Sequence, residues 1–589
     1  MKRFSFSFLQ KHQTRLAFLL ACLAIVVYFG WINYESILRY TTFRATAFDL
    51  GNMDQVVWNT LHGRPFQWTN QGVDWFGPPL RLAQHVEPIL LPISLLYLIW
   101  ADPRMLLTLQ TAMLALGALP VYALTRYFIP RFPYLATGMA IGYLFSPALI
   151  GVNIFDFHPV ALVAPFMLFA AWALTKRRFV LFILFCVLAA SCKEEIPAVV
   201  GLFGLLVMWK YKRPRLGLAL FVGGIAWSAG AFLLMKQLYP GNQGNNFWYR
   251  YVELGDTPGD AIKNILRHPM ILFTFFVTLD RLFYLVGLFR SGGFFGLLAI
   301  EWLLPALPDL AINLLNTNSP QLYSGIYHYN APIIPFVTLA TIHGLARFVA
   351  WWQVRHGETV EPIPLIVGDT AQAQRSSWPG FVVKPIKGIQ LALTRAARNL
   401  WSTRPVTMVR PGVLAIVEEG ALRRKSFHER MTDLSRVITP TVMQWVICGL
   451  VVLMVLLNNF IMYPKYNWLL ADHTPGTREQ RIEELLTMIP DTASVSASAT
   501  LNPHLTRRQY VTVFPFITYL TLDGNMHTVE YVIVDVRNIV PADMRGSTFE
   551  MLNQIRETHL FCTIKQTDGV ILLARNDVSC PANPEPGGK

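Results

Sequence analysis

Long apolar runs separated by short polar or basic stretches dominate the chain. They fall at residues 16–31, 105–124, 134–153, 160–174, 179–191, 196–209 and 216–238, then at 270–289, 294–315, 331–348 and 442–462. A straight membrane-spanning helix needs about 20 apolar residues, so several of these runs have uncertain ends. Residues 86–100 are the ambiguous run: short, interrupted by Pro88 and Pro92, and beginning beside His85 and Glu87. Beyond the last run the period changes. Residues 478–488 and 548–556 carry helical spacing, while 494–498, 510–514, 530–536, 561–566 and 569–573 are strand-like. Alternating helices and strands predict a small α/β domain over 464–589, with strands buried on both faces.

Composition supports the membrane reading. Of the 589 residues 53% are hydrophobic and 15% charged, and the mean hydropathy is +0.38. Soluble domains carry about 25% charged residues. The formal charge of +14 does not imply nucleic acid, because the basic residues sit in clusters between apolar runs, as the positive-inside rule requires. Arg126 and Arg131, the cluster from Lys176 to Arg178, that from Lys210 to Arg215, Arg290, and the basic stretch 350–440 all share the N-terminal, cytoplasmic side only if residues 86–100 do not cross. That arrangement gives about eleven spans, an inner-membrane protein with its N-terminus inside and its C-terminus outside. The first run reads as an uncleaved anchor. Residues 1–349 and 441–463 form the membrane part. The stretch 350–440 is a cytoplasmic insert with one amphipathic helix near 386–400.

Lys and Arg alone set this topology, yet it places every acidic and histidine cluster outside. Asp49, Asp54, Asp74, His85 and Glu87 share the first outer loop; Asp156 and His158 lie in the second; Lys193, Glu194 and Glu195 in the third; His328 closes the fifth. Charged groups beside apolar helices are costly and usually mark a site. Asp49, after an amphipathic stretch 37–47 containing Arg39 and Arg44, suits a general base for an acceptor hydroxyl, with the arginines holding a lipid phosphate. Asp54 would point away from Asp49 on a helix, and could instead cap its first turn. Arg81, Lys193, Glu194, His85, Glu87, His158 and His328 complete the candidate substrate-binding set. Trp58, Trp68 and Trp75 could stack on sugar faces or anchor the interface. Carboxylates with histidines could bind a divalent cation, but the spacing is not diagnostic and no metal site or cofactor is expected. Four cysteines lie in apolar runs, whereas Cys562 and Cys580 fall in the outer domain, where an oxidising compartment would allow a disulfide.

The strings F-D-L-G-N-M-D-Q-V-V-W, H-V-E-P-I-L-L-P, D-F-H-P, C-K-E-E and H-Y-N-A-P, with A-S-V-S-A-S-A-T-L-N-P-H-L-T-R-R at 493–508, resemble in that order the domain-of-unknown-function 2079 membrane proteins. That family is similar in layout to the GT-C glycosyltransferases, including protein mannosyltransferases and aminoarabinose transferases, which use polyprenyl-linked sugars. The resemblance implies Asp49 and Asp156 as the catalytic acidic residues of the first and second outer loops. It departs in the residues after Asp49, which are L-G-N-M-D-Q rather than a following Glu.

The expectation is therefore a GT-C-like polytopic membrane transferase. It would take a sugar from a polyprenyl phosphate carrier to an acceptor at the outer face, in contact with membrane lipids and without nucleic acid. A transporter or flippase would want charges near mid-membrane and an internal repeat; neither is evident. A non-catalytic assembly subunit is the other alternative.

Overall fold

The computed structural model describes residues 6–70, 77–239, 247–355, 439–541 and 545–580. The amphipathic helix expected near 386–400, with nearly all of the basic insert, lies outside the described residues, as do Asp74 and Trp75. Among the described residues six helices are long and apolar enough to cross a membrane: His12–Thr41, Pro103–Phe128, Pro214–Leu238, Phe295–Leu314, Ile334–Arg355 and Pro440–Leu469. A pair, Pro133–Leu144 and Pro147–Ile154, bent by 45°, passes the same measure only when its halves are taken together. Ser146 caps the second half of that pair through Leu149 N, and Pro147 opens it.

The expected count of about eleven is not reached on this measure. Three further apolar helices, Pro159–Thr175, Phe179–Ala190 and Ile196–Lys210, are shorter. The run 270–289 is broken into Met270–Phe276 and Leu279–Arg290. Residues 86–100 hold only the helix Leu90–Ser94 and a 3₁₀ turn, Leu95–Leu98. At about 1.5–2 Å per residue these cannot traverse a ~30 Å hydrocarbon core. Leu95, Leu98 and Ile99 are exposed, as suits a segment lying in lipid at the interface. Of the amphipathic stretch expected at 37–47, residues 37–41 are the tail of one long helix, Phe6–Thr41, and the remainder is turn leading into Ala47–Gly51.

Close approach of backbones sets one helix pair. Ile196–Lys210 and Pro214–Leu238 meet through Gly201, Gly204, Gly217 and Gly224, where an added Cβ on Gly204 would lie 2.5 Å from Gly217 O. Without water to drive apolar association, such small-residue contacts are a principal source of packing energy. At the far end of Ile196–Lys210 from the Lys193 turn, Lys210 Nζ lies 2.9 Å from Glu301 Oε1, and Arg347 completes the ion group on Glu301. Arg290, expected among the open cytoplasmic charges, is instead buried and donates to Asn458 of the last span at 3.1 Å.

The C-terminal region is a five-stranded sheet. Its strands are β1 (Val495–Ala497), β2 (Val511–Val513), β5 (Tyr531–Asp535), β6 (Phe561–Thr567) and β7 (Val570–Arg575), in the order β2-β1-β5-β7-β6. A separate ribbon pairs β3 (Thr518–Leu520) with β4 (Met526–Thr528). β1 is parallel to β2 and β5; β7 is antiparallel to β5 and β6. Strands β1, β2 and β5 are buried throughout, because helix Thr477–Leu486 covers one face of the sheet and helix Arg545–Thr558 the other. β6 alternates because it is an edge strand. The ribbon was not expected from sequence: its strands are short and largely exposed, so no apolar pattern marks them. Cys562 and Cys580 are joined as a disulfide.

This region grips the first loop. Val511 N donates to Thr69 Oγ1 and Thr69 Oγ1 to Val511 O, both at 3.0 Å. Asn70 and Asn502 exchange side-chain hydrogen bonds at 2.9 and 2.8 Å. Ala47 N donates to Ala499 O at 2.8 Å. The T-L-N-P-H-L-T segment is thus a clamp for the strand of chain that carries Asp49.

Candidate functional site

The chain leaves the first span, takes a positive φ at Phe43, and enters a π-type turn over Ala47–Gly51 that runs into helix Asn52–Leu61. The wide turn is closed by Gly51 N to Thr46 O at 3.1 Å. Such turns rotate the side chains before them relative to those after, and recur at functional sites. Gly51 is required by contact: a Cβ there would lie 2.6 Å from Asn502 Oδ1 and 3.1 Å from Asn70 Nδ2. Asp49 is thereby turned into a cavity and Asp54 into the protein.

Asp49 Oδ1 lies 2.8 Å from His158 Nε2. His158 is held from behind by Gln110, whose Oε1 accepts from His158 N at 2.9 Å and whose Nε2 donates to Asp156 O at 2.8 Å. The His158 ring stacks on His328 with centroids 3.8 Å apart. Burial, then the neighbouring cationic groups, hold His328 well below the usual imidazole range, so it is neutral. One cavity of about 310 Å³ is lined by Asp49, Arg81, His85, Glu87, His158, Lys193, Arg250 and His328. A second, of about 350 Å³, shares His85, Lys193, Arg250 and His328 with it and adds Glu194, Glu195 and Asp309. The two adjoin at these shared residues, the first carrying the polar end at Asp49 and the second an apolar end at Phe232, Met235, Ile262, Ile265 and Ile312.

The charges inside are mostly paired. Arg81 Nε donates to Glu87 at 2.8 Å and its guanidinium lies over Trp68. Lys193 meets Glu195 at 2.8 Å; burial opposes its charge, but Glu195 and Glu194 outweigh it and the ammonium is held above its usual range. Glu194 accepts from His85 Nδ1 at 2.9 Å and Val86 N at 3.1 Å, which ties the loop carrying Glu194 to the first loop. Burial, with Arg81 and Lys193 nearby, lowers His85 to about 3, a neutral imidazole. His158 Nδ1, His328 Nδ1, Asp309 Oδ2 and Arg250 Nε are buried atoms with no hydrogen-bond partner among the described residues. Buried polar groups are nearly always satisfied, so a cluster of orphans facing one cavity points to a ligand.

Three residues expected at the site stand elsewhere. Asp156 lines neither part of the cavity: fully buried, it accepts from Arg39 Nε at 3.3 Å and Thr46 N at 3.1 Å. It fixes the backbone three residues before Asp49, and Arg39 is used up on it rather than on phosphate. Asp54 is also fully buried, accepting from Tyr97 and, at 2.6 Å, from Thr506 Oγ1. It neither caps the helix nor reaches the cavity; it pins the helix to the interfacial segment and the C-terminal region. Arg44 donates to Leu470 O at 2.8 Å and faces Asp472, away from the cavity. Conversely, Arg250 and Asp309 line the cavity unanticipated; the only signal in sequence was an arginine interleaved with aromatics, W-Y-R-Y. Among the described residues no group of three His, Cys, Asp or Glu side chains is placed to hold a metal ion.

Burial raises Asp54 to about 6, against the pull of its two hydroxyl donors. A free carboxyl titrates near 3.9, so the folded protein holds this proton more tightly than the unfolded chain. Its stabilising contribution is complete below pH ~4 and is lost as pH rises through about 6. Thermal melting between pH 4 and 7 should show this decline in wild type, and Asp54→Asn should flatten it. An unchanged slope in the variant would assign the decline to another group.

These features define an integral membrane protein with a polar cavity among its loops and a sheet region hydrogen-bonded to the first of those loops. The chain belongs to the family described as "Predicted membrane protein (DUF2079)", whose model matches residues 39–361 and 406–572. No curated protein matches it. Among solved structures it is similar to the archaeal oligosaccharyltransferase AglB from Archaeoglobus fulgidus in complex with an inhibitory peptide and a dolichol-phosphate. The identity is 13%, over 96% of this chain and 75% of that one, with a TM-score of 0.36. The apo form of the Archaeoglobus fulgidus oligosaccharyltransferase gives 14% identity, the same coverage and a TM-score of 0.38. Scores at this level carry no functional weight.

Proposed function

We propose that the protein is a GT-C-like membrane glycosyltransferase that moves a sugar from a lipid-linked phosphate donor to an acceptor at the outer face. The observation that carries this reading is the pair of adjoining cavities, with the Asp49–His158 pair at their polar end and an apolar end framed by the span Pro214–Leu238 and the helix Pro258–Arg267. An amphiphile with a reactive head and an apolar tail fits that gradient.

Asp49 is the general base. His158, with its proton on Nε2, holds Oδ1 and leaves Oδ2 to take the proton of an acceptor hydroxyl. The acceptor oxygen forms a bond to the anomeric carbon as the carbon–oxygen bond to the phosphate breaks. The bonding pair leaves on the phosphate oxygen, where fixed positive groups in a poorly hydrated cleft stabilise it. Asp156 and Arg39 act at one remove by holding Thr46. The outward orientation rests on the basic clusters and on the Lys210–Glu301–Arg347 group at the other end.

The test is transfer of labelled sugar from a panel of polyprenyl-linked donors in membranes containing the protein, with reporters fused after Arg178 and at Lys589. Transfer above empty membranes, with a cytoplasmic signal at the first site and an external one at the second, is expected. No transfer from any donor, or an external signal at Arg178, would overturn the reading.

A further inference from the structure

We propose that Arg250 is the anion anchor of this cavity and that the lipid it selects carries one phosphate rather than two. The inference rests on the lipid-linked donor reading and narrows its substrate class. Five carboxylates line the joined cavity against three cations. Two of those cations are committed, Arg81 to Glu87 and Lys193 to Glu195, each at 2.8 Å. Arg250 differs: among the described residues no carboxylate lies within salt-bridge distance of it, and its Nε is buried without a hydrogen-bond partner. Its guanidinium sits 4.6 Å from the Phe247 ring centroid and 5.9 Å from that of Tyr329. Aromatic faces stabilise a cation without neutralising it, so its charge stays available to an anion.

The position is built. Arg250 O accepts from Thr317 N at 2.9 Å, Tyr249 O from Asn318 Nδ2 at 3.0 Å, and Tyr251 Oη donates to Ile312 O at 2.8 Å. Three successive residues are thereby fixed to the neighbouring 312–318 segment. Arg250 also lines both parts of the cavity, where the polar end meets the apolar one. In a lipid-linked sugar the phosphate lies at that same junction, between chain and sugar. A guanidinium there offers a planar fork to the phosphate oxygens. One uncommitted cation balances the single charge of a phosphodiester. A diphosphate would bring a second negative charge among carboxylates already in excess.

The test uses the full chain, purified in detergent, with three probes: a long-chain polyprenyl methyl phosphodiester as the monophosphate, the corresponding methyl diphosphate as the diphosphate, and inorganic phosphate. The monophosphate should bind at least tenfold more tightly than the diphosphate. Arg250→Gln should weaken it by about 10–100-fold, the loss of a charge-assisted contact, and Arg250→Lys by less, with melting temperatures unchanged. If the diphosphate binds as well as the monophosphate, or Arg250→Gln changes nothing while the lipid still binds, this inference fails and the donor reading stands. If neither lipid binds, both fail. If inorganic phosphate displaces the monophosphate at equal concentration, the site is one for free phosphate and the lipid assignment is overturned.

Discussion

Replacing Asp49 by asparagine is expected to lower sugar transfer by about 10²–10⁴-fold, the usual cost of removing a general base, with folding and membrane insertion unchanged. Asparagine keeps the size of the side chain and an oxygen that still accepts from His158 Nε2, which lies 2.8 Å from Asp49 Oδ1 in the native protein. Only the capacity to take a proton is lost. Lipid binding should be nearly unaffected, because Arg250, the cation proposed to hold the phosphate, belongs to another loop, so the loss should appear in turnover rather than in donor affinity. Full activity in Asp49→Asn would reduce the Asp49–His158 contact to a structural one and remove the base from the mechanism.

Asp156→Ala is expected to fail differently. The Asp156 and Arg39 side chains are 1% and 5% exposed. Removing one member of a buried ion pair strands the other, at about 3–5 kcal/mol, and here Thr46 N loses its acceptor as well. The melting temperature of the purified protein should fall by several degrees, and activity should fall with it. Arg39→Leu combined with Asp156→Asn should recover most of the stability, since asparagine can still accept from Thr46 N and no charge is left buried. A full loss of transfer in Asp156→Ala with no change in melting would instead return Asp156 to direct chemistry.

The contrast between these two aspartates shows how far sequence could reach. Basic clusters alone put Asp49, Arg81, His85, Glu87, His158, Lys193, Glu194 and His328 on one side of the membrane, and all eight line the joined cavity. Their grouping at one cavity was legible because loop membership follows from span positions, which hydropathy reports. It could not separate Asp49 from Asp54 by role. Helical spacing shows that the two diverge but not what covers each, and Asp54 is covered by Thr506, 452 residues away. Asp156 was misplaced for the same reason: its partner Arg39 lies 117 residues earlier, in the tail of a helix expected to have ended sooner. Arg250 was missed because its distinguishing property is the absence of a carboxylate partner among the described residues, which exists only once the other charges have found theirs. In the sheet region the buried strands β1, β2, β5 and β7 were legible from their apolar runs, and the exposed ribbon was not.

The reciprocal amides of Asn70 and Asn502 join positions 432 residues apart. Their meeting point is directly against Gly51, two residues from Asp49. During synthesis the first loop therefore emerges long before the segment that completes it. A nascent chain whose spans are all in place still lacks the partners of Thr69, Asn70 and Asp54. The turn that carries Asp49 therefore gains its last hydrogen-bonding partners only when the C-terminal region docks, the final step in building that end of the cavity.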